Sequence, residues 1–196
     1  MDAWEAVVLA GGAGSRFGGG KLTAPWRGGA LIDGALAAAF AAPVRNVTVV
    51  TGADGKVEAA ARAFAERTGQ ASRLRLIHCP DHAEGMGATL RAGVASLPPD
   101  AAGVFVFLGD MPLIPPAILP ALAAAVVGGA PAAAPSFDGQ RGHPVLFSAE
   151  LLPQLIALTG DQGAREVLRG LGDRLALVEA ADRGVLVDID WPKDLP

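Results

Sequence analysis

The chain has one cysteine in 196 residues, Cys79, so no disulfide can form within it. A lone thiol of this kind is more often a small buried hydrophobe than a nucleophile. Charge of one sign is also missing: 16 Lys and Arg against 20 Asp and Glu give a formal net charge of −4, with no general pull toward nucleic acid. Any anion bound here must be held locally. The N-terminus carries Asp2 and Glu5 rather than a basic segment, and no run of 18 uncharged apolar residues occurs outside the Ala/Gly-rich stretch from Pro115 to Pro135. Prolines at 115, 116, 120, 131 and 135 suit a helix followed by a strand better than a membrane span. The cytoplasm is the expected compartment, with neither membrane nor nucleic acid as a partner. Two familiar phosphate-binding signatures are absent as well. Lys21 is followed by Leu22, so there is no Gly-Lys-Ser/Thr of a P-loop, and Phe17 stands where the third glycine of a dinucleotide fingerprint would fall.

What is present is an apolar run, Val7 to Ala10, that breaks into a loop dense in glycine: Gly11, Gly12, Gly14, Gly18, Gly19 and Gly20, with Arg16 and Lys21. Glycines let main-chain N–H groups approach an anion without a Cβ in the way, and the two cations supply charge. This is the pattern of a nucleotide-phosphate cradle directly after a strand.

The length fits one domain, residues 1–196, large enough to bury roughly 70% of its unfolded surface. Beyond the loop, composition and periodicity predict a helix over Ala30 to Ala41, a strand over Asn46 to Thr51, a helix over Val57 to Arg67 and a strand over Leu74 to His78. A helix over Met86 to Leu97 and a fully buried strand over Gly103 to Leu108 follow. Strand and helix alternate, so the sheet is expected to be parallel. The second half predicts a helix near Ala117 to Val127, strands near Ala132 to Pro135 and His143 to Phe147, helices over Leu151 to Leu158 and Ala164 to Leu171, and closing strands near Leu175 to Val178 and Val185 to Asp188. There is no internal repeat or disordered linker.

Asp110 follows the buried strand, which puts a carboxylate at the edge where open α/β sheets bind ligands. The glycine loop should sit on the same edge. A carboxylate facing bound phosphates needs a cation between them, and magnesium is held by one or two carboxylates plus phosphate oxygens and water. The competing reading is that Asp110 caps the turn before Pro112. A second carboxylate could come from Asp188-Ile189-Asp190, where alternation puts both acids on one side of a strand end; Asp190 is the preferred ligand, and two solvated acids are the alternative. His78 and His82 have no spacing for zinc and read as structural or exposed.

Six blocks carry a resemblance that spans about Val7 to Asp194. They are Leu9-Ala10-Gly11-Gly12-x-Gly14-x-Arg16-x-Gly18-x-x-Lys21, Glu84 to Gly93, Gly109-Asp110-Met111-Pro112, Arg141-Gly142-His143-Pro144, Gly160 to Arg165 and Asp188-Ile189-Asp190. In this order they resemble the MobA-like nucleotidyltransferases of molybdenum-cofactor synthesis, most nearly their cytidylyltransferase branch. The resemblance implies a three-layer, Rossmann-like α/β nucleotidyltransferase fold with a mainly parallel central sheet. It implies transfer of CMP from CTP to molybdopterin cofactor with release of pyrophosphate and Mg2+ as cofactor, and a molybdoenzyme or its chaperone as the recipient partner.

On the same resemblance Arg16, Lys21 and Asp110 are the catalytic residues. Leu9, Ala10, Gly11, Gly12, Gly14, Arg16, Lys21 and Gly85 hold the nucleotide, and Asp110 and Asp190 hold the metal. Arg91, Arg141, His143, Asp161 and Arg165 serve the acceptor, although a lone His is more often structural and Arg91 could belong to an ordinary helix. Three positions depart from the family pattern. Gly12 stands where the cytidylyltransferase branch tends to have Ala and the guanylyltransferase branch Gly, which leaves GTP as the alternative. Trp191-Pro192-Lys193-Asp194 replaces the family's Thr-Pro-acid-Asp, and Trp26 either stacks on a base or fills the core. A nucleotidyltransferase for another small phosphate, and a carrier that binds cofactor without turnover, are the remaining alternatives.

Overall fold

The computed structural model describes residues 3–12, 14, 17–159 and 163–194. Its centre is β1 (Trp4–Ala10), buried along its whole length, with β4 (Val47–Thr51) on one side and β6 (Gly103–Leu108) on the other, both parallel to it. Two short strands, β2 (Pro25–Trp26) and β3 (Gly29–Ala30), pair apart from the main sheet. β5 (Leu74–His78) extends the sheet beyond β4. On the far side of β6 lie β9 (Val145–Ser148), then β7 (Ala132–Phe137), with β8 (Gln140–Arg141) paired to its end, then β10 (Leu175–Glu179).

The order across the sheet is β10-β7-β9-β6-β1-β4-β5. β9 runs antiparallel to both β6 and β7, and β8 antiparallel to β7, so the sheet is mixed and mainly parallel, as the resemblance implies. The return strand read from His143 to Phe147 is β9, inserted between two strands that point the same way.

The side-chain period of two explains the three layers. Ala6, Val8, Ala10, Phe105 and Phe107 face one core, which α1 (Ile32–Ala41), α2 (Lys56–Arg67) and α4 (Leu119–Val127) cover. Val7, Leu9, Val104 and Val106 face the other, covered by α3 (Met86–Ala95), α5 (Leu152–Ile156) and α6 (Arg165–Leu171). A strand buried on both faces has no polar side to show, which is why β1 and β6 read as continuous apolar runs.

One predicted element is absent. Where a closing strand was expected near Val185 to Asp188, the chain makes a 3₁₀ turn at Arg183–Leu186 and then runs extended without joining the sheet. Two close backbone contacts take the place of sheet pairing. Gly184 lies against the Leu113 carbonyl, and the Ile189 N–H donates to the Asp110 carbonyl at 3.0 Å. No helix among the described residues is long and apolar enough to cross a membrane.

Candidate active site

A cavity of about 680 Å³ opens at the carboxyl edge of the parallel strands. The segments that follow β1, β4, β5 and β6 supply its wall, together with the start of α3 and the extended stretch at 188–190. Every nucleotide-binding residue expected from the sequence that falls among the described residues lines it: Leu9, Ala10, Gly11, Gly12, Gly14, Lys21 and Gly85. Arg16 and Asp161 lie outside the described residues.

The loop has its shape because of glycine at two positions in particular. Gly14 has φ +57°, and a Cβ there would lie 2.9 Å from Lys21 Cβ, so a side chain would both strain the backbone and push on the lysine. Gly11 packs on α3: a Cβ would come within 2.7 Å of the Thr89 hydroxyl. The Gly14 carbonyl accepts from Phe17 N and Gly19 N, which closes the turn that delivers Lys21.

Lys21 Nζ donates to Asp110 Oδ2 at 2.7 Å and to Asp190 Oδ1 at 2.8 Å. Burial works against the ammonium, but the two hydrogen bonds and the two negative charges outweigh it and hold the Lys21 pKa above its ordinary value. Asp110 therefore faces the cavity rather than capping the turn before Pro112. Asp188 and Asp190 both line the cavity while Ile189 between them is buried with Trp26 and Leu31. The alternation expected of a strand end survives without the strand.

Two carboxylate oxygens converging on one cationic centre form a donor set that fits a hard divalent ion such as Mg2+ or Mn2+. Among the described residues no group of three or more His, Cys, Asp or Glu could cage a metal alone. An ion held by this pair would complete its shell from water and phosphate oxygens.

The departure at Trp191 and Lys193 leaves Asp190 in position. Asp194 Oδ2 accepts from Trp191 N at 2.9 Å and from Asp190 N at 3.3 Å, so the family-like Asp holds the turn while both altered side chains are exposed. Trp26 fills a small core with Leu31 and Ile189 and does not line the cavity.

The residues assigned to the acceptor are not brought together in the same way. Arg91 donates to the Leu158 carbonyl at 2.9 Å and to Glu84 at 3.2 Å, tying α3 to the end of the α5 segment. Arg141 and Arg165 are exposed, on β8 and at the first residue of α6. His143 is half-buried as a residue, but its Nδ1 is buried and lacks a partner among the described residues, and burial, with the Arg141 charge, holds its pKa down to about 4 against the opposing pull of Asp110 and the Val106 carbonyl. None of the four lines the cavity. The chain does return to its rim at Gly163, which packs on Met86 Sδ.

Sequence reading missed the lining residues Leu22, Asp54 and His82, whereas Met86 and Thr89 line it from within the block Glu84 to Gly93. His82, expected to be structural or exposed, sits on the wall, with its ring edge-on to His78 at 6.2 Å. Asp54 accepts from Lys56 N at 2.9 Å and from the Thr23 hydroxyl at 3.3 Å, linking the start of α2 to the segment that carries Lys21. The available signal was topological, since Asp54 follows β4, the neighbour of the strand that carries the loop, and His82 follows β5, the next strand beyond it.

A three-layer α/β sheet with a glycine loop, a lysine and paired carboxylates at its carboxyl edge defines a nucleotidyltransferase. The chain belongs to the family of the MobA-like NTP transferase domain, whose sequence model matches residues 6–178. It is 30% identical over 194 residues to the molybdenum cofactor cytidylyltransferase of Escherichia coli (strain K12), a match covering 99% of this chain and 94% of that protein. It is 31% identical over 208 residues to the purine catabolism protein PucB of Bacillus subtilis (strain 168), covering 96% and 92%. In fold it is similar to the crystal structure of Rv0371c from Mycobacterium tuberculosis H37Rv, with TM-score 0.80 and 23% identity over 98% of this chain and 95% of that one. A structure of the same mycobacterial protein in complex with manganese gives TM-score 0.70 at 23% identity, over 91% and 88%.

Proposed function

We propose that the protein transfers CMP from CTP to the phosphate of molybdopterin cofactor and releases pyrophosphate. The observation that carries this is the convergence of Lys21, Asp110 and Asp190 beside the glycine loop in one cavity, supported by the likeness to the E. coli cytidylyltransferase over nearly the whole of both chains.

In the reaction an oxygen of the acceptor phosphate attacks the α-phosphorus in line. A new P–O bond forms, the bond from the α-phosphorus to the bridging oxygen breaks, and its electron pair leaves with pyrophosphate. No covalent enzyme intermediate is needed, because a phosphate monoester is already a competent nucleophile. The loop amides and Lys21 neutralise charge on the β- and γ-phosphates, with Arg16 as a further cation of the same loop. Asp110 and Asp190 would hold Mg2+, which when bound supplies charge neutralisation and polarisation at the phosphates. The manganese complex of the mycobacterial protein of the same fold supports use of a divalent ion. Asp161 and Arg165 are assigned to the acceptor side; Arg165 stands two residues after Gly163, which packs on Met86.

The test is pyrophosphate release from CTP and from GTP in separate reactions with Mg2+, with and without molybdenum cofactor. Cofactor-dependent release from CTP is expected. Preference for GTP would make the protein a guanylyltransferase, release with another phosphate acceptor would change the substrate, and nucleotide binding without release would make it a carrier.

A further inference from the structure

The Lys21 ammonium occupies the place where a cation held by Asp110 and Asp190 would have to sit. Nζ is within hydrogen-bond distance of one oxygen from each, at 2.7 and 2.8 Å, and the lysine side chain is only 10% exposed. Magnesium binds carboxylate oxygen at about 2.0–2.1 Å, so an ion on this pair and an ammonium hydrogen-bonded to both would overlap, and the two are alike in charge. Lys21 is also the one Lys or Arg among the described residues that line the cavity. With two of its three N–H donors on the carboxylates, one is left for a triphosphate, so full pairing with the phosphates needs the ammonium to leave the carboxylates.

The backbone around Lys21 is fixed. Leu22 is buried, Thr23 N and the Thr23 hydroxyl both bond to the Gly20 carbonyl, and Ala24 N bonds to the Lys21 carbonyl. The side chain is the part that can move, through the rotatable bonds of its four-carbon stem.

We propose that Lys21 is a resident counter-ion that keeps the cation position closed until a nucleoside triphosphate draws the ammonium onto its phosphates. The divalent ion then loads together with nucleotide and binds the free protein poorly. The proposal rests on Asp110 and Asp190 being the cation ligands. Charge pairing is its physical basis. Before nucleotide arrives, both carboxylates accept from the Lys21 ammonium; afterwards, the carboxylates face the ion and the ammonium faces phosphate. Neither state leaves like charges adjacent without a partner, whereas metal entry with Lys21 in place does. The coupling is reciprocal, so the ion raises nucleotide affinity by the factor by which nucleotide raises that of the ion.

The direct test is Mn2+ binding, followed by electron paramagnetic resonance in the absence of nucleotide. Lys21→Met keeps a chain of similar length and removes the charge. It is expected to bind Mn2+ at least tenfold more tightly than the wild type, with the gain abolished in Lys21→Met/Asp110→Asn. Equal affinity in Lys21→Met and wild type overturns the proposal. A gain that persists in the double variant overturns the assignment of the ion to Asp110, and this inference with it.

A second measurement needs no variant, since uncovering two carboxylates could unfold the protein. With ¹⁵N-labelled lysine, the slowly exchanging Lys21 ammonium signal should stay unchanged with Mg2+ alone. It should shift when Mg2+ and a non-hydrolysable CTP analogue are added together. A signal displaced by Mg2+ alone, or unmoved by the pair, overturns the proposal.

Discussion

Gly11 and Thr89 meet at the seam between the glycine loop and α3, so closely that a Cβ on residue 11 would lie 2.7 Å from the Thr89 hydroxyl and 3.1 Å from its methyl. Thr89 is buried and has little room to give way. Gly11→Ala is therefore expected to cost about 1–3 kcal/mol of stability through overpacking. It should also shift the loop away from the nucleotide. Gly11→Ala/Thr89→Ala should recover most of the loss in urea unfolding. A double variant no more stable than the single would place the strain elsewhere than at Thr89, the next neighbour of the added methyl being His82 Cβ at 3.5 Å.

Asp110→Asn keeps the shape of the side chain and removes its charge. The expected result is a fall in pyrophosphate release on the order of a hundredfold to a thousandfold, or about 3–4 kcal/mol in the barrier, as for other preorganised charge contacts. The fold should persist, because the Asp110 carbonyl still accepts from Ile189 N and Lys21 keeps its bond to Asp190 when the Asp110 charge is removed. Near wild-type turnover in a folded Asp110→Asn protein would remove the residue from the reaction.

The sequence was most legible where structure is local. Gly103–Leu108 is a strand at the bounds its apolar run predicts, because a strand buried on both faces must be apolar throughout. Leu74–His78, an edge strand with Arg75 and His78 exposed, also keeps its predicted bounds. It was least legible where distant segments meet. Lys21 lies 89 residues from Asp110 and 169 from Asp190, so each was recognisable as a candidate while their mutual pairing was not. The expected strand at Val185 to Asp188 failed for the same reason. Its apolar residues are real, but Gly184 and Ile189 are satisfied by the Leu113–Asp110 backbone instead of a sheet edge. Asp54 and His82 reach the cavity only through the strand order β1-β4-β5, which their spacing does not reveal.

Gly12 tests base choice. Among the described residues nothing lies within 4 Å of a Cβ at this position, and its φ is outside the left-handed region. Gly12→Ala should therefore leave stability unchanged or raise it by up to about 1 kcal/mol through the unfolded chain. Gly12 lines the cavity, and if the proposed function places nucleotide there, one added methyl group can change discrimination by roughly tenfold or more. The ratio of kcat/KM for CTP over GTP is expected to rise in the variant. An unchanged ratio would mean that the base is read by other parts of the cavity.

His143 makes the fold sensitive to acid. Its folded pKa is held down to about 4 by burial, while an unfolded chain would protonate it near 6.5. A depressed histidine contributes stability above the unfolded value and loses it as pH falls, since between these two values the unfolded chain binds the extra proton. The loss from this group is expected to be about 2 kcal/mol between pH 7.5 and pH 5 and to approach about 3 kcal/mol below pH 4. His143→Asn should lower stability at pH 7.5 but remove that part of the pH dependence. Urea unfolding of both proteins at pH 7.5 and 5 measures the difference directly, because carboxylate titrations common to both cancel. Equal pH slopes would show that the imidazole titrates near its ordinary value and is open to water. The predicted result keeps His143 neutral near pH 7, which removes it as a proton donor or charge for the acceptor and leaves it as a wedge between β6 and the Val185 turn.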